Sequence, residues 1–248
     1  ASLDEWRVFL HPSQRYLVEW DVNGPMNISG SAGTGKTVAL MHRAVHLARN
    51  LESSKQRVLA TTFTTNLSIT LKHQLQVLDA DAARKIEVTN LHALARAICS
   101  RSGWRGQIAT DADLDLIWES ALQDADLESV HLDPGEIREE FEHVVDPAGI
   151  AEQSEYLTAI RSGRPRRLRR KQRRKLWQVF QDVRRRLATR NLVTFDGLIR
   201  QAREIVEAGR FRTFRHVLVD ETQDFGLEAL RLIRALSNVF APREITHG

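Results

Sequence analysis

Two groups of residues far apart in the chain carry the chemistry that this sequence is equipped to do. The first is Gly30, Ser31, Ala32, Gly33, Thr34, Gly35, Lys36 and Thr37, which fits the pattern G-x-x-x-x-G-K-[ST]. Loops of this pattern wrap the phosphates of a nucleoside triphosphate. Glycine lets the backbone turn tightly and aim successive N–H groups inward, and the helix after the loop offers its positive N-terminal end to the anion. Lys36 would reach the β and γ phosphates, and the Thr37 hydroxyl would sit on Mg²⁺. The second group is Asp220 and Glu221, two carboxylates that close the apolar run His216 to Val219. In a phosphate-loop site Asp220 would hold Mg²⁺, directly or through water, and Glu221 would orient and deprotonate the attacking water. Upstream of the loop, the Gln14 amide both donates and accepts, which suits the edge of an adenine; a solvated helix surface is its other reading.

These groups need a scaffold, and the chain supplies the pattern of one. Met26 to Ile28 reads as a strand before the loop and Val38 to Met41 as the start of a helix running to about Asn50. Pro12 and Ser13 open a short helix ahead of it, with Ser13 placed to satisfy free N–H groups. Arg57 to Thr61 and Ile86 to Thr89 are further β-prone runs, each succeeded by polar turn material and a helical segment. Strand, loop and helix therefore repeat three times, which predicts a parallel sheet with crossover helices. Phe63 stands at the end of one strand as either a core ring or a platform for a nucleic-acid base. Its place at the edge where open α/β sheets bind ligands keeps the second reading open. His92, after the next strand, is a polar contact to a phosphate or sugar, or a residue of the helix start.

From about Trp104 to Asn191 no convincing strand is found. Leu114, Ile117, Trp118 and Leu122, then Phe141, Val144 and Val145, then Tyr156, Leu157 and Ile160 keep helical spacing, punctuated by Pro134, Pro147 and Pro165. An all-helical insertion is expected over 104–191, between two parts of an α/β domain at 1–103 and 192–248.

Charge is segregated within this insertion. The 248-residue chain has a net charge of +4, yet from Asp111 to Glu155 there are fifteen acids against Arg138, and from Arg161 to Arg190 fourteen Lys and Arg against Asp182. Without the second stretch the rest of the chain would stand at −9. Arg161, Arg164, Arg166, Arg167, Arg169, Arg170, Lys171, Arg173, Arg174 and Lys175 lead into an apolar stripe of Leu176, Val179, Phe180, Val183 and Leu187 with Trp177 beside it. A helix with an apolar anchor and a nearly uncompensated basic end suits a phosphate backbone, without regard to base sequence. Cys99 is the only cysteine, which excludes an internal disulfide and a zinc site of several thiolates, and its apolar phase predicts burial. No apolar run approaches a membrane span and no signal pattern opens the chain, so a cytoplasmic location is expected.

Taken together, Gln14, Gly30 to Thr37, Thr62-Phe63-Thr64, His92, Phe195-Asp196-Gly197-Leu198 and Asp220-Glu221-Thr222-Gln223-Asp224 resemble superfamily 1 DNA helicases of the UvrD/Rep/PcrA type, in the order of that family and over nearly the whole chain. The resemblance implies a RecA-like P-loop domain 1A with a helical 1B insertion that approaches the duplex, ATP with Mg²⁺ as cofactors, and single-stranded DNA as partner. It implies that Gln14 reads adenine, Phe63 and Thr64 contact the single strand, His92 is the motif Ib histidine, and Gln223 links the nucleotide site to DNA. Three features depart from the family. Val38 stands where an adenine-packing Arg is frequent, and Arg43 is too far along the helix for that task; Asn90 and Leu91 precede His92 in place of Thr-Phe. The family continues into a second RecA-like domain with arginine fingers, and the first residues read as mid-protein. An excised or truncated piece is therefore expected, binding nucleotide but hydrolysing it poorly and not unwinding. The alternatives are a nucleic-acid-binding module with a vestigial ATP site, or a P-loop ATPase acting on protein partners.

Overall fold

The computed structural model describes residues 9–22, 24–31, 33–128, 130–161 and 166–237. Ala32 of the phosphate loop and Arg164 and Pro165 of the basic stretch lie outside these residues. In chain order the elements are α1 (Arg15–Glu19), α2 (Lys36–Arg49), β1 (Val58–Thr62), α3 (Thr65–Leu78), α4 (Ala80–Ala83), β2 (Ile86–Asn90) and α5 (Leu91–Arg101). They continue with β3 (Gln107–Ile108), α6 (Asp111–Gln123), α7 (Pro134–Glu140), α8 (Gln153–Thr158), α9 (Arg170–Thr189), β4 (Leu192–Val193), α10 (Phe195–Glu207), β5 (His216–Val219) and α11 (Leu227–Leu236). The described residues fall into two units, one drawn from 1–94, 205–225 and 231–248 and the other from 95–204 and 226–230.

The first unit is a parallel sheet in the order β2-β1-β5 with helices packed on it. Val58 lies opposite Ile86 on one side and His216 on the other, so the three strands run in step to common C-terminal ends. The central β1 is buried at every position, as a strand covered on both faces must be, and its run Val58-Leu59-Ala60 is accordingly apolar without alternation. Leu40, Met41, Ala44, Val45 and Ala48 of α2 and Leu71 and Leu75 of α3 form the core with Ile86 and Leu218. Met26 to Ile28, expected as a strand, form none. Met26 and Ile28 are half-buried and Asn27 exposed, but Gly24 and Pro25 precede them and no ladder bond joins them to β5 or any other described strand. Burial alternates there as it would in a strand, but the hydrogen bonds that define one are not made.

The second unit is helical. Trp118 of α6, Phe141 at the end of α7, Tyr156 of α8 and Trp177 and Phe180 of α9 meet in one core, with ring centroids 5.5 Å apart for Trp118–Phe141, Phe141–Phe180 and Tyr156–Phe180. The stripe on α9 is buried throughout, and so is Cys99. Ile160, by contrast, is 88% exposed, because Ala159 turns to extended backbone and ends α8 before the next helical phase is reached. The unit also holds a strand pair that the sequence does not signal: β3 runs parallel to β4, with Gln107 opposite Leu192. Two residues are too few to show a period, and their partner lies on the far side of the insertion.

Candidate functional site

The loop from Gly30 to Thr37 turns on Gly33 and Gly35, both in left-handed backbone at φ +77° and +83°, where an L side chain is strained. Gly35 caps α2, and Lys36 and Thr37 are its first residues. Thr34 closes the loop, its hydroxyl donating to the Ser31 carbonyl at 2.8 Å. The Lys36 ammonium donates to the carbonyls of Gly30 and Ser31 at 2.9 and 3.0 Å and so is held at the loop.

Gln14 is fixed on this loop. Its amide donates to the Thr34 carbonyl at 2.7 Å, and a Cβ on Gly35 would come 3.4 Å from the same amide. The 3-10 turn Pro12–Gln14 that carries it is capped by the His11 ring, which accepts from the Ser13 N–H at 3.2 Å; Ser13, the expected cap, is the residue being capped. Arg43, to which sequence reasoning gives no task, anchors the chain between Leu17 and Trp20. Its Nη1 donates to the carbonyls of Leu17, Val18 and Trp20 at 3.0, 3.1 and 3.0 Å, tying the end of α1 to α2. Burial lowers its pKa, with Asp21 opposing. The one sequence signal is an arginine three residues after buried Leu40 and four before Leu47.

Asp220 extends β5 by one more ladder bond, its N–H donating to Thr61 O at 2.9 Å. That places its buried carboxylate against the phosphate loop: the Thr37 hydroxyl donates to Asp220 Oδ2 at 2.8 Å across 183 residues of sequence. Glu221 sits in left-handed backbone at φ +55°, a conformation that costs a residue with a side chain about 1–2 kcal/mol, and its carboxylate accepts from the Gln223 amide. Among the described residues no group of three His, Cys, Asp or Glu could hold a metal. A hydroxyl and a carboxylate side by side are instead the partial oxygen set that Mg²⁺ uses when phosphates and water complete its shell.

At the C-terminal ends of the three strands lies a cluster of rings. Phe63, 40% exposed after β1, meets His92 of α5 edge-to-face at 6.3 Å and Phe225 at 5.6 Å. Burial lowers the His92 pKa, which favours the neutral ring. Thr64 is the N-cap of α3, accepting from the Leu67 N–H at 3.3 Å, and Asn90 caps α5 through the Ala93 N–H at 2.8 Å. Phe225 is not singled out by the sequence; its only signal there is an aromatic directly after Asp224.

The basic stretch is less helical and less uncompensated than it reads: Arg161, Arg166, Arg167 and Arg169 come before α9, which starts at Arg170. Arg161 is buried on Glu140, Arg173 donates to the carbonyls of Tyr156 and Ala159, Lys175 pairs with Asp126 at 2.9 Å, and exposed Arg166 reaches Glu136 at 3.3 Å and the His131 carbonyl. Arg167, Arg169, Arg170, Lys171 and Arg174 are exposed and make no salt bridge to a described residue. The acidic stretch is what pairs with Arg161, Arg166 and Lys175, because the insertion folds its two halves onto each other.

The sequence matches the model of the family described as UvrD/REP helicase N-terminal domain over residues 10–241. The chain belongs to this family. Among curated relatives, it is 41% identical over 81 residues to the ATP-dependent DNA helicase PcrA of Leuconostoc citreum, covering 32% of this chain and 11% of that protein. It is 27% identical to the ATP-dependent DNA helicase UvrD1 of Mycobacterium bovis over 92% of this chain, and 25% identical to PcrA of Staphylococcus aureus over 88% of it. In both of these the match spans 30% of the relative's length. The parallel sheet flanked by helices is the α/β architecture expected for the family's RecA-like domain. No helix among the described residues is long and apolar enough to cross a membrane.

Proposed function

We propose that this chain is the ATP-binding and DNA-binding half of an ATP-dependent DNA helicase or translocase of superfamily 1, with a 1A domain at 1–103 and 192–248 and a 1B insertion at 104–191. The observation that carries this reading is the hydrogen bond between Thr37 and Asp220, which brings the loop that binds phosphate and the carboxylates that work on it to one place. Gly30, Ser31, Ala32, Gly33, Thr34 and Gly35 cradle the phosphates, Lys36 neutralises them, and Gln14 reads the adenine edge. Thr37 and Asp220 hold Mg²⁺, which when bound neutralises charge that develops on the transferred phosphoryl group. Glu221 orients the attacking water and takes its proton, and Gln223 holds Glu221 in that role. Single-stranded DNA lies on Phe63, Thr64 and His92, while Arg167, Arg169 and Arg170, with Arg166 less freely, meet the backbone of the duplex.

The chain matches only 30% of the length of its UvrD1 and Staphylococcus aureus PcrA relatives, and arginine fingers supplied from outside a phosphate-loop domain are worth roughly 10³- to 10⁵-fold in rate. The 248-residue chain therefore binds nucleotide, turns it over very slowly and does not unwind. A DNA substrate accords with the expected cytoplasmic location.

The test is binding of a fluorescent ATP analogue to the wild-type chain, Lys36→Ala and Asp220→Asn, with DNA affinity measured in parallel. Lys36→Ala should abolish nucleotide binding, and Asp220→Asn should remove its dependence on Mg²⁺. Unchanged nucleotide affinity in Lys36→Ala would refute the site, and rapid DNA-stimulated hydrolysis would refute the half-site. Nucleotide that never alters DNA affinity would favour a binding module with a vestigial ATP site.

A further inference from the structure

We propose that Phe225 is a positioning residue for single-strand binding, holding the Phe63 ring at the angle at which a base stacks on it. The inference rests on the reading of Phe63 as a base platform. A half-exposed ring at a strand end is a poor platform if it must be ordered by the base that lands on it, because the cost of ordering is then drawn from binding. Phe63 does not stand alone. Phe225 meets it at 73° and His92 at 75°, both in the edge-to-face geometry that suits the ring quadrupole.

The two braces differ in how firmly they are held. His92 belongs to the first turn of α5 and is backed by the Asn90 cap. Phe225 is buried and ends the 3-10 turn Thr222–Asp224, its N–H donating to the Thr222 carbonyl at 3.3 Å. That turn begins from Glu221 in its left-handed conformation, so the ring is placed by the backbone that also places the carboxylates. Asp220, Glu221 and Gln223 of the run before it have tasks at the nucleotide side of the proposed site, and burial alone does not explain why an aromatic follows Asp224. Contact with Phe63 does.

The experiment measures the affinity of the full 248-residue chain for two labelled oligonucleotides of equal length, one of thymidines and one abasic, by fluorescence anisotropy. Phe225→Leu keeps the space filled and removes the ring; Phe225→Tyr keeps the ring. Phe225→Leu should weaken thymidine binding about 2- to 10-fold, the worth of one edge-to-face pair, and leave abasic binding unchanged. Phe225→Tyr should restore the wild-type value. In the Phe63→Ala background Phe225→Leu should have no further effect. Wild-type affinity in Phe225→Leu, equal loss on both oligonucleotides, failure of the tyrosine to rescue, or additivity with Phe63→Ala would each overturn the proposal. If Phe63→Ala itself does not separate the two oligonucleotides, the platform reading fails first and takes this one with it.

Discussion

Replacing Glu140 with alanine should loosen the helical insertion more than any change at its surface. Glu140 has no exposed surface and accepts from Arg161 Nε at 2.6 Å, Arg161 Nη2 at 2.8 Å and the Tyr156 hydroxyl at 3.0 Å. The Arg161 side chain is itself only 8% exposed, so water cannot take over the lost partner. Removing one member of a buried pair costs about 3–5 kcal/mol, whereas replacing both by apolar groups is often neutral. Hydrogen exchange over Phe141 to Val145 and Leu176 to Leu187, read out by mass spectrometry, reports the loss locally. At 1.4 kcal/mol per tenfold, Glu140→Ala should speed exchange there by roughly 10²-fold or more. Replacing these three together, Glu140→Leu with Arg161→Met and Tyr156→Phe, should return much of the protection. Arg170→Ala, on the exposed end of the same basic stretch, should stay within about 0.5 kcal/mol of wild type. Exchange in Glu140→Ala within about threefold of wild type would refute the reasoning, since the charges would then be solvated after all.

Gly149→Ala should cost about 2–4 kcal/mol, because Gly149 has φ +62° and its new Cβ would fall on the buried Glu228 side chain, which Arg203 holds at 3.1 Å; Gly209→Ala, at φ +69° with open space around it, should cost only about 1–2 kcal/mol in a melting experiment. Burial, then Asp146 and Glu228, raise the Asp196 pKa to about 6. The folded state thus holds this proton more tightly than the unfolded one, so ionising Asp196 costs stability progressively from about pH 4 to 6 and fully above that. Asp196→Asn should therefore gain melting temperature over wild type as pH rises through that window and hold the gain at pH 7–8, while a constant difference would count against it. For duplex binding, Arg169→Gln with Arg170→Gln should reduce the slope of log K against log salt by about 1–2, and Arg166→Gln, already engaged by Glu136 and His131, by less.

Much of the site is legible in the sequence because its geometry is local. A phosphate loop needs glycines at fixed offsets and a helix that starts at Lys36, and those demands act on neighbouring residues. The same holds for β1, whose apolar run Val58-Leu59-Ala60 records burial on both faces. The strand expected at Met26 to Ile28 fails because alternation reports burial, while a strand also needs a ladder partner that sequence does not name. Arg43 and Phe225 escape a reading of the sequence for a similar reason: their tasks are contacts with Leu17, Val18, Trp20 and Phe63, residues that no spacing rule connects to them.

Residue types and their order along the chain determined by themselves that a G-x-x-x-x-G-K-[ST] loop, a carboxylate pair and a basic run leading into an amphipathic helix are present. Only the tertiary structure decided what they add up to. It brought Thr37 to Asp220 across 183 residues by running β1 and β5 in register, since the last ladder bond of β5 sets where the carboxylate ends. It also divided the basic stretch, because charge pairing depends on distance in space: Arg161, Arg173 and Lys175 turn inward or pair with neighbours, leaving Arg167, Arg169, Arg170, Lys171 and Arg174 to face solvent.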